Sequence, residues 1–246
     1  MKTYFTSDFH LGSSNIIEYS HRPFENVGHM NNVLIRHVNQ ILDKHDVLFH
    51  VGDFMLVGHD RHDIKHDYSD IKIETYLDQI KPHIILLNGN HDADHNCHAM
   101  CNCAYVNLNR NWKNISVSHL PITKSYESLK IHLCGHVHDK YLANFDKNTN
   151  VLNINVGVDV WDYRPVDSET LVKVIEDLTS DKELMSESFA LTKLEFQEFR
   201  HKKNLERAKI KSQKMKERHL KKGLTPEECQ RRKEEAMRSK SKVTKL

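Results

Sequence analysis

The feature that most constrains this chain is one local design used again and again: a short apolar run that ends at once in Gly, Asp, Asn or His. Residues 2–7 (KTYFTS) lead into Asp8, and 46–51 (DVLFHV) lead into Gly52 and Asp53. Residues 83–88 (HIILLN) lead into Gly89, Asn90 and His91; 115–118 (ISVS) lead into His119; 130–134 (KIHLC) lead into Gly135; and 151–156 (VLNINV) lead into Gly157 and Asp159. Runs of this length, bounded by turn-forming residues, read as buried strands. Between them, 30–43 (MNNVLIRHVNQILD) places Val33, Leu34, Val38, Ile41 and Leu42 at helical spacing. Strand and helix alternate, which predicts an α/β body. Ligands of such folds gather where the carboxyl ends of strands meet, and here those ends carry metal-ligating residue types.

Charge divides the 246 residues into two parts. From Asp181 to Leu246 there are 20 Lys+Arg against 11 Asp+Glu, whereas residues 1–180 hold 16 against 23, so a net charge of +2 conceals an acidic body and a basic tail. The expected organisation is a domain over 1–180 and a helical or partly disordered extension over 181–246. Residues 168–178 suit a closing helix capped by Ser168. Thr192 with Glu195, and Thr225 with Glu228 behind Pro226, fit capping boxes. Two tail helices are expected, at about 193–221 and 226–238, separated at Gly223.

The opening MKTYFTSDFH has no apolar run of signal-peptide length, and no segment approaches the roughly 18 apolar residues of a membrane span. A cytoplasmic protein without membrane contact is expected, in the host cytoplasm if a phage encodes it. An odd number of cysteines, five, points to reduced thiols.

In order, the strand ends spell Asp8-x-His10, Gly52-Asp53, Gly89-Asn90-His91-Asp92, His119 and Gly135-His136-x-His138. This series resembles the calcineurin-like metallophosphoesterases over roughly residues 1–166, and NVGVDVWDYRPV (155–166) resembles the closing segment of a small bacterial and phage branch. The resemblance implies a four-layer α/β/β/α sandwich and a dinuclear metal centre. Two cations roughly 3.5–4 Å apart neutralise phosphoryl charge and grip nucleophile and substrate together. By resemblance Asp53 bridges the metals, Asp8, His10 and His138 complete one site, and Asn90, His119 and His136 the other. His136 and His138, in a loop just behind a strand, then serve different ions. A metal-bridging hydroxide would be the nucleophile and His91 the general acid that protonates the leaving alkoxide. Nitrogen and oxygen ligands without thiolate suit manganese first, with iron, zinc and nickel open. The Asp and Arg that protein serine/threonine phosphatases carry three and four positions beyond the Gly-Asp aspartate are here Leu56 and Val57, which argues against phosphoprotein substrates.

Other features are less determined. HNCHAMCNC (95–103) has a C-x3-C-x-C spacing that does not match a structural zinc pattern; a lid loop near the active site is the stronger expectation. In NIIEYSHRPF (15–24), Asn15 and Arg22 are candidate substrate contacts, as is Arg164, while a structural role for Arg22 ahead of Pro23 stands beside that reading. A His often occupies the position of Ser13 in the resembling branch. Trp161 suits the core or an interface. In the tail Arg200, Lys203, Arg207, Lys211, Lys214, Arg218 and Lys221 form a basic stripe at helical spacing. It reads either as a solvated extension or as a sequence-independent nucleic-acid contact over 200–222.

The functional expectation is a phosphodiesterase or nucleotide-type phosphohydrolase. A metal-dependent DNA nuclease of the same superfamily, or a nucleic-acid-binding protein with a vestigial phosphoesterase body, are the alternatives.

Overall fold

In the computed structural model, residues 1–56, 72–92, 101–221 and Arg231 are described. They form a mixed α/β fold with two sheets and a long C-terminal helix. The first sheet begins with β1 (Thr3–Thr6), β2 (Val47–Val51) and β3 (His83–Leu87). These three strands pair in parallel in the order β3-β2-β1. Parallel neighbours need crossover connections, and α1 (Asn15–Tyr19) with α2 (Val27–Ile41) supplies one between β1 and β2. α2 starts at Asn26, whose side chain accepts from the His29 N–H. Its Met30, Leu34 and Val38, all fully buried, join a core with Tyr4, Phe9, Leu48, Phe54 and Leu86. Each such side chain contributes about 1.5–3 kcal/mol of transfer free energy. A short α3 (Glu74–Leu77) precedes β3.

The second sheet adds β4 (Cys103–Val106), β5 (Ile115–Ser118), β6 (Lys130–Cys134), β7 (Ala143–Asp146) and β8 (Val151–Asn155). β5, β6 and β8 run parallel to one another. A parallel bridge between Ser7 and Gly157 joins the chain just past β1 to the chain just past β8. The two sets of parallel strands therefore end at a common place. β9 (Val166–Asp167) pairs antiparallel with β1, closing the first sheet as β3-β2-β1-β9.

One face of the second sheet carries a polar row in register, Ser116, His132, Asn153 and Asn144. His132 and Asn153 are buried because the segment 119–122 lies over them. The Asn153 amide exchanges hydrogen bonds with the backbone of Ile122, and His132 Nε2 reaches the Leu120 carbonyl at 3.1 Å.

The six anticipated strands appear within one or two residues of their expected bounds. α4 (Ser168–Thr179) matches the closing helix, but its cap is Asp167, whose carboxylate accepts from the Thr170 N–H and hydroxyl. The short strands β4, β7, β9 and β10 (Phe189–Leu191) were not anticipated, since two to four residues give no readable period. β10 pairs with β7 and Phe196 is buried, so the compact unit spans Met1–Phe196 instead of stopping at 180.

The second unit, Gln197–Leu246, contains most of α5 (Lys193–Lys221). The Thr192–Glu195 capping box forms: the Thr192 N–H and hydroxyl donate to Glu195, and the Glu195 N–H donates back to the hydroxyl. Leu205, Ile210 and Met215 are exposed along this helix. The helix anticipated at 226–238 lies outside the described residues apart from Arg231. No described helix is long and apolar enough to cross a membrane.

Candidate metal centre

Two groups of ligand-type side chains meet at the common strand ends. Asp8, His10 and His138 form one, and Asp53, His119 and His136 the other, with the ligand atoms of each group within 4.8 Å of one another. One carboxylate oxygen faces both groups: Asp53 Oδ2 lies 3.5 Å from His10 Nε2 and 3.2 Å from His119 Nε2. Asn90 joins the second group, its Oδ1 2.9 Å from both His119 Nε2 and His136 Nδ1. All seven residues named from the sequence thus come together across the two sheets.

The backbone is bent to bring them there. Asp8, His10, Asp53, His136 and His138 all have positive φ, between 50° and 69°, a region that non-glycine residues rarely enter. Such conformations cost of order 1–3 kcal/mol each and cluster at functional sites. Two glycines make the close approach possible. Gly52 has φ +87°, and a Cβ on Gly89 would sit 2.0 Å from Asp53 Oδ1.

Outer partners fix the ligands. His119 Nδ1–H donates to the Val51 carbonyl at 2.9 Å and His138 Nδ1–H donates to Asp159 at 3.0 Å, which in each neutral ring leaves Nε2 as the ligand nitrogen. Asp8 accepts from the Ser7 hydroxyl and from the His136 N–H. Asp92, 1% exposed, accepts from the N–H groups of Asp53, Phe54 and Gly89, tying the Gly-Asp loop to the Gly-Asn-His-Asp loop.

Electrostatics make the site a trap for positive charge. Burial alone would raise Asp53, yet the His119 hydrogen bond and the neighbouring histidines hold it well below the usual carboxylate range. Burial alone would lower His119, but Asp53 and Asp8 push it up to about 9. His10 is held well below its ordinary value, first by burial.

The donor set fits divalent cations. His10 is 2% exposed and neither ring nitrogen has a hydrogen-bond partner. An orphaned buried polar group costs about 1–3 kcal/mol, which a cation at Nε2 beside Asp8 and Asp53 would offset. His50 is also unpartnered. It packs edge-on against Phe9 and Phe54, and burial lowers it to about 3, so it is a neutral packing residue.

The other sequence candidates separate. A cleft of about 460 Å³ opens beside the centre, and His10, His91, His138 and Asn15 line it. His91 donates its backbone N–H to Asp53 Oδ1 at 2.9 Å, and its ring lies 5.4 Å from that of His10. Arg22 does not face the cleft. It is 4% exposed and its five N–H groups are committed: to both Asp159 oxygens, to the carbonyls of Asp8 and Phe9, and to Met30 Sδ. The substrate-contact expectation for Arg22 is therefore corrected to an anchoring one. Arg164 is exposed and does not line the cleft either. Trp161 donates its indole N–H to the Asn155 carbonyl. Of HNCHAMCNC, residues 95–100 lie outside the described residues, while Cys101 bridges to Leu87 and Cys103 opens β4.

Sequence reasoning assigned no role to Asp92 or Asp159. Asp92 was visible as the last letter of its motif, and Asp159 as the acid in Gly157-Val158-Asp159; nothing local said what either would touch.

No family model matches the chain. It is 30% identical over 179 residues to an uncharacterized protein of Methanocaldococcus jannaschii, covering 71% of this chain and 92% of that one. Among solved structures, a protein of unknown function from Aquifex aeolicus is 21% identical, with a TM-score of 0.49, covering 70% of this chain and 98% of that chain. A conserved uncharacterized protein from Streptococcus pneumoniae, titled a predicted phosphoesterase, is 19% identical with a TM-score of 0.30, covering 63% and 71%.

Proposed function

We infer the function of this chain from its membership: it belongs to the calcineurin-like metallophosphoesterase superfamily and, within it, to one family with the uncharacterized M. jannaschii protein. On that premise it is a dinuclear-metal phosphoesterase, a phosphodiesterase or nucleotide-type phosphohydrolase, with its two sheets packed as a four-layer α/β/β/α sandwich. The observation that carries this reading is Asp53 Oδ2, one oxygen placed between two histidine-bearing groups.

When bound, two divalent cations, manganese first, neutralise phosphoryl charge and make water a nucleophile near neutral pH. Asp8, His10, His138 and Asp53 would hold one, and Asp53, Asn90, His119 and His136 the other. His91, outside both ligand groups and lining the cleft, supplies the proton to the leaving alkoxide as the ester P–O bond breaks and water oxygen adds to phosphorus. Leu56 lines the cleft where the protein-phosphatase branch carries Asp, and the nearby guanidinium of Arg22 is committed. Both support small or nucleotide-like esters over phosphoproteins.

The test is hydrolysis of bis-p-nitrophenyl phosphate and p-nitrophenyl phosphate, with Mn²⁺ or with EDTA. Metal-dependent preference for the diester is expected. Silence on both with metal bound would sink the reading in favour of a binding protein.

The basic side of α5 suits sequence-independent contact with a polyanion, since its 197–221 stretch carries ten Lys+Arg against three Asp+Glu. Cutting the chain after Phe196 keeps β10 and should leave small-ester turnover unchanged while abolishing salt-sensitive retention of DNA. Retention that survives the cut would refute the tail contact.

A further inference from the structure

We propose that the cleft beside His91 is a subsite for an uncharged nucleoside leaving group, with the exposed ring of Tyr19 as the platform on which its base stacks. This deepens the phosphoesterase reading and rests on it. The position of His91 sets the direction. A general acid must lie within hydrogen-bond reach of the oxygen it protonates, so the leaving group occupies the space that His91 lines. That space is the cleft of about 460 Å³, walled on one side by α1 and on the other by the chain following His138.

Charge decides what class of group fits. Outside the histidines of the centre, the described lining carries one cation, Lys140, and one carboxylate, Asp139, on adjacent residues. Arg22, the cation nearest in sequence to α1, is spent on Asp159 and on the carbonyls of Asp8 and Phe9. A leaving group that is itself a phosphate chain would meet no net positive charge among these described residues outside the centre. A neutral group with a flat aromatic part would meet Tyr19, 78% exposed at the end of α1, and the amide of Asn15 one turn earlier. Tyr19 is the one aromatic ring among the described lining residues apart from the histidines. Base–aromatic stacking is worth about 1–3 kcal/mol per base and tolerates any base, so the subsite selects nucleosides as a class.

The experiment compares thymidylyl-(3′→5′)-thymidine with the methyl ester of thymidine 3′-monophosphate and follows the formation of thymidine 3′-monophosphate from each, so that the leaving group scored is a nucleoside in the first and methanol in the second. In full-length, Mn²⁺-loaded protein, Tyr19→Ala should lower kcat/KM on the dinucleotide by about tenfold or more and leave the methyl ester within twofold. Tyr19→Phe should retain the dinucleotide rate. Equal loss on both esters, or loss on neither, would overturn the subsite while leaving the phosphoesterase intact. If the wild-type protein hydrolysed neither ester, the phosphoesterase reading would fall. Saturation-transfer NMR with adenosine would then decide the cleft separately: transfer to wild type that vanishes in Tyr19→Ala supports it, and transfer that is absent or unchanged overturns it.

Discussion

The two ligand groups are supported in different ways. Around Asp8, His10 and His138 the outer partners are charged and sunk in the protein: Asp159 bonds His138 and is itself clamped by the Arg22 guanidinium, 2.8 Å away at Nε. Around Asp53, His119 and His136 the partners of the histidine rings are neutral, and the Asp92 carboxylate bonds the Asp53 backbone N–H instead of a ligand ring. His119 leans on the Val51 carbonyl, and the ring of His136, exposed, meets the Asn90 amide and packs edge-on against the His119 ring. Burial would raise Asp159, but His138 and Arg22 hold it below the usual carboxylate range, so it stays an anion able to strengthen the ligand it orients. One half is preorganised by fixed charge, while the other trades that for exposure. The first should bind its cation more tightly, and the second should exchange it and meet the substrate.

The most drastic way to break the comparison is to remove what the halves share. Asp53→Asn should abolish turnover, by well over the roughly 10–100-fold that an outer-shell partner costs, and metal analysis should show both ions lost. A fully metallated, active variant would end the bridging assignment. His91→Gln keeps every ligand and should spare metal content, while slowing esters with poor leaving groups by about 10²–10⁴. An equal slowing of nitrophenyl and alkyl esters would argue against its role as acid.

Asp159→Asn sharpens the contrast itself. It should weaken the tighter of two metal-binding phases by about 10–100-fold and leave the weaker phase in place, as read by titration against a chelating indicator. Loss of the weaker phase instead would reverse the ranking of the halves.

The smallest effect comes from acid. Burial, working against hydrogen bonds to Leu120 and Ser116, lowers His132 from 6.5 to about 4. The unfolded chain then binds the extra proton first, so the stability contributed by neutral His132 is complete above about pH 6.5 and drains away as pH falls toward 4. It amounts to about 3 kcal/mol by the usual 1.36 kcal/mol per unit. The protonated ring keeps its Nε2–H bond to the Leu120 carbonyl, so what costs is the charge buried beneath the 119–122 segment; lifting that segment, next to His119, relieves it, and the His119 half should loosen first. Thermal denaturation from pH 7 to 4, with His132→Gln as control, checks it: the variant's curve should be flatter, and an identical slope would discard the assignment.

Much of this was legible in the residues alone. The order Asp8, His10, Asp53, Asn90, His119, His136, His138 is a local property: each ligand sits just past the end of a strand, and strand and ligand are neighbours in sequence. The parallel core, the α2 helix and the Thr192 capping box follow for the same reason, since periodicity and caps act within a few residues. The fate of Arg22 was not legible. Its partner Asp159 lies 137 residues away, and whether a guanidinium faces substrate or a buried carboxylate depends on packing that no window of sequence contains. The same holds for Asp92 reaching Phe54, for His132 clasping the 119–122 segment, and for the antiparallel edge of β10 that extends the body to Phe196. The sequence determined which chemistry the chain carries, because ligand type and strand end are coded side by side. The tertiary structure alone decided which charges are spent on holding the site and which face the cleft, because burial and partner choice are set only when distant segments meet.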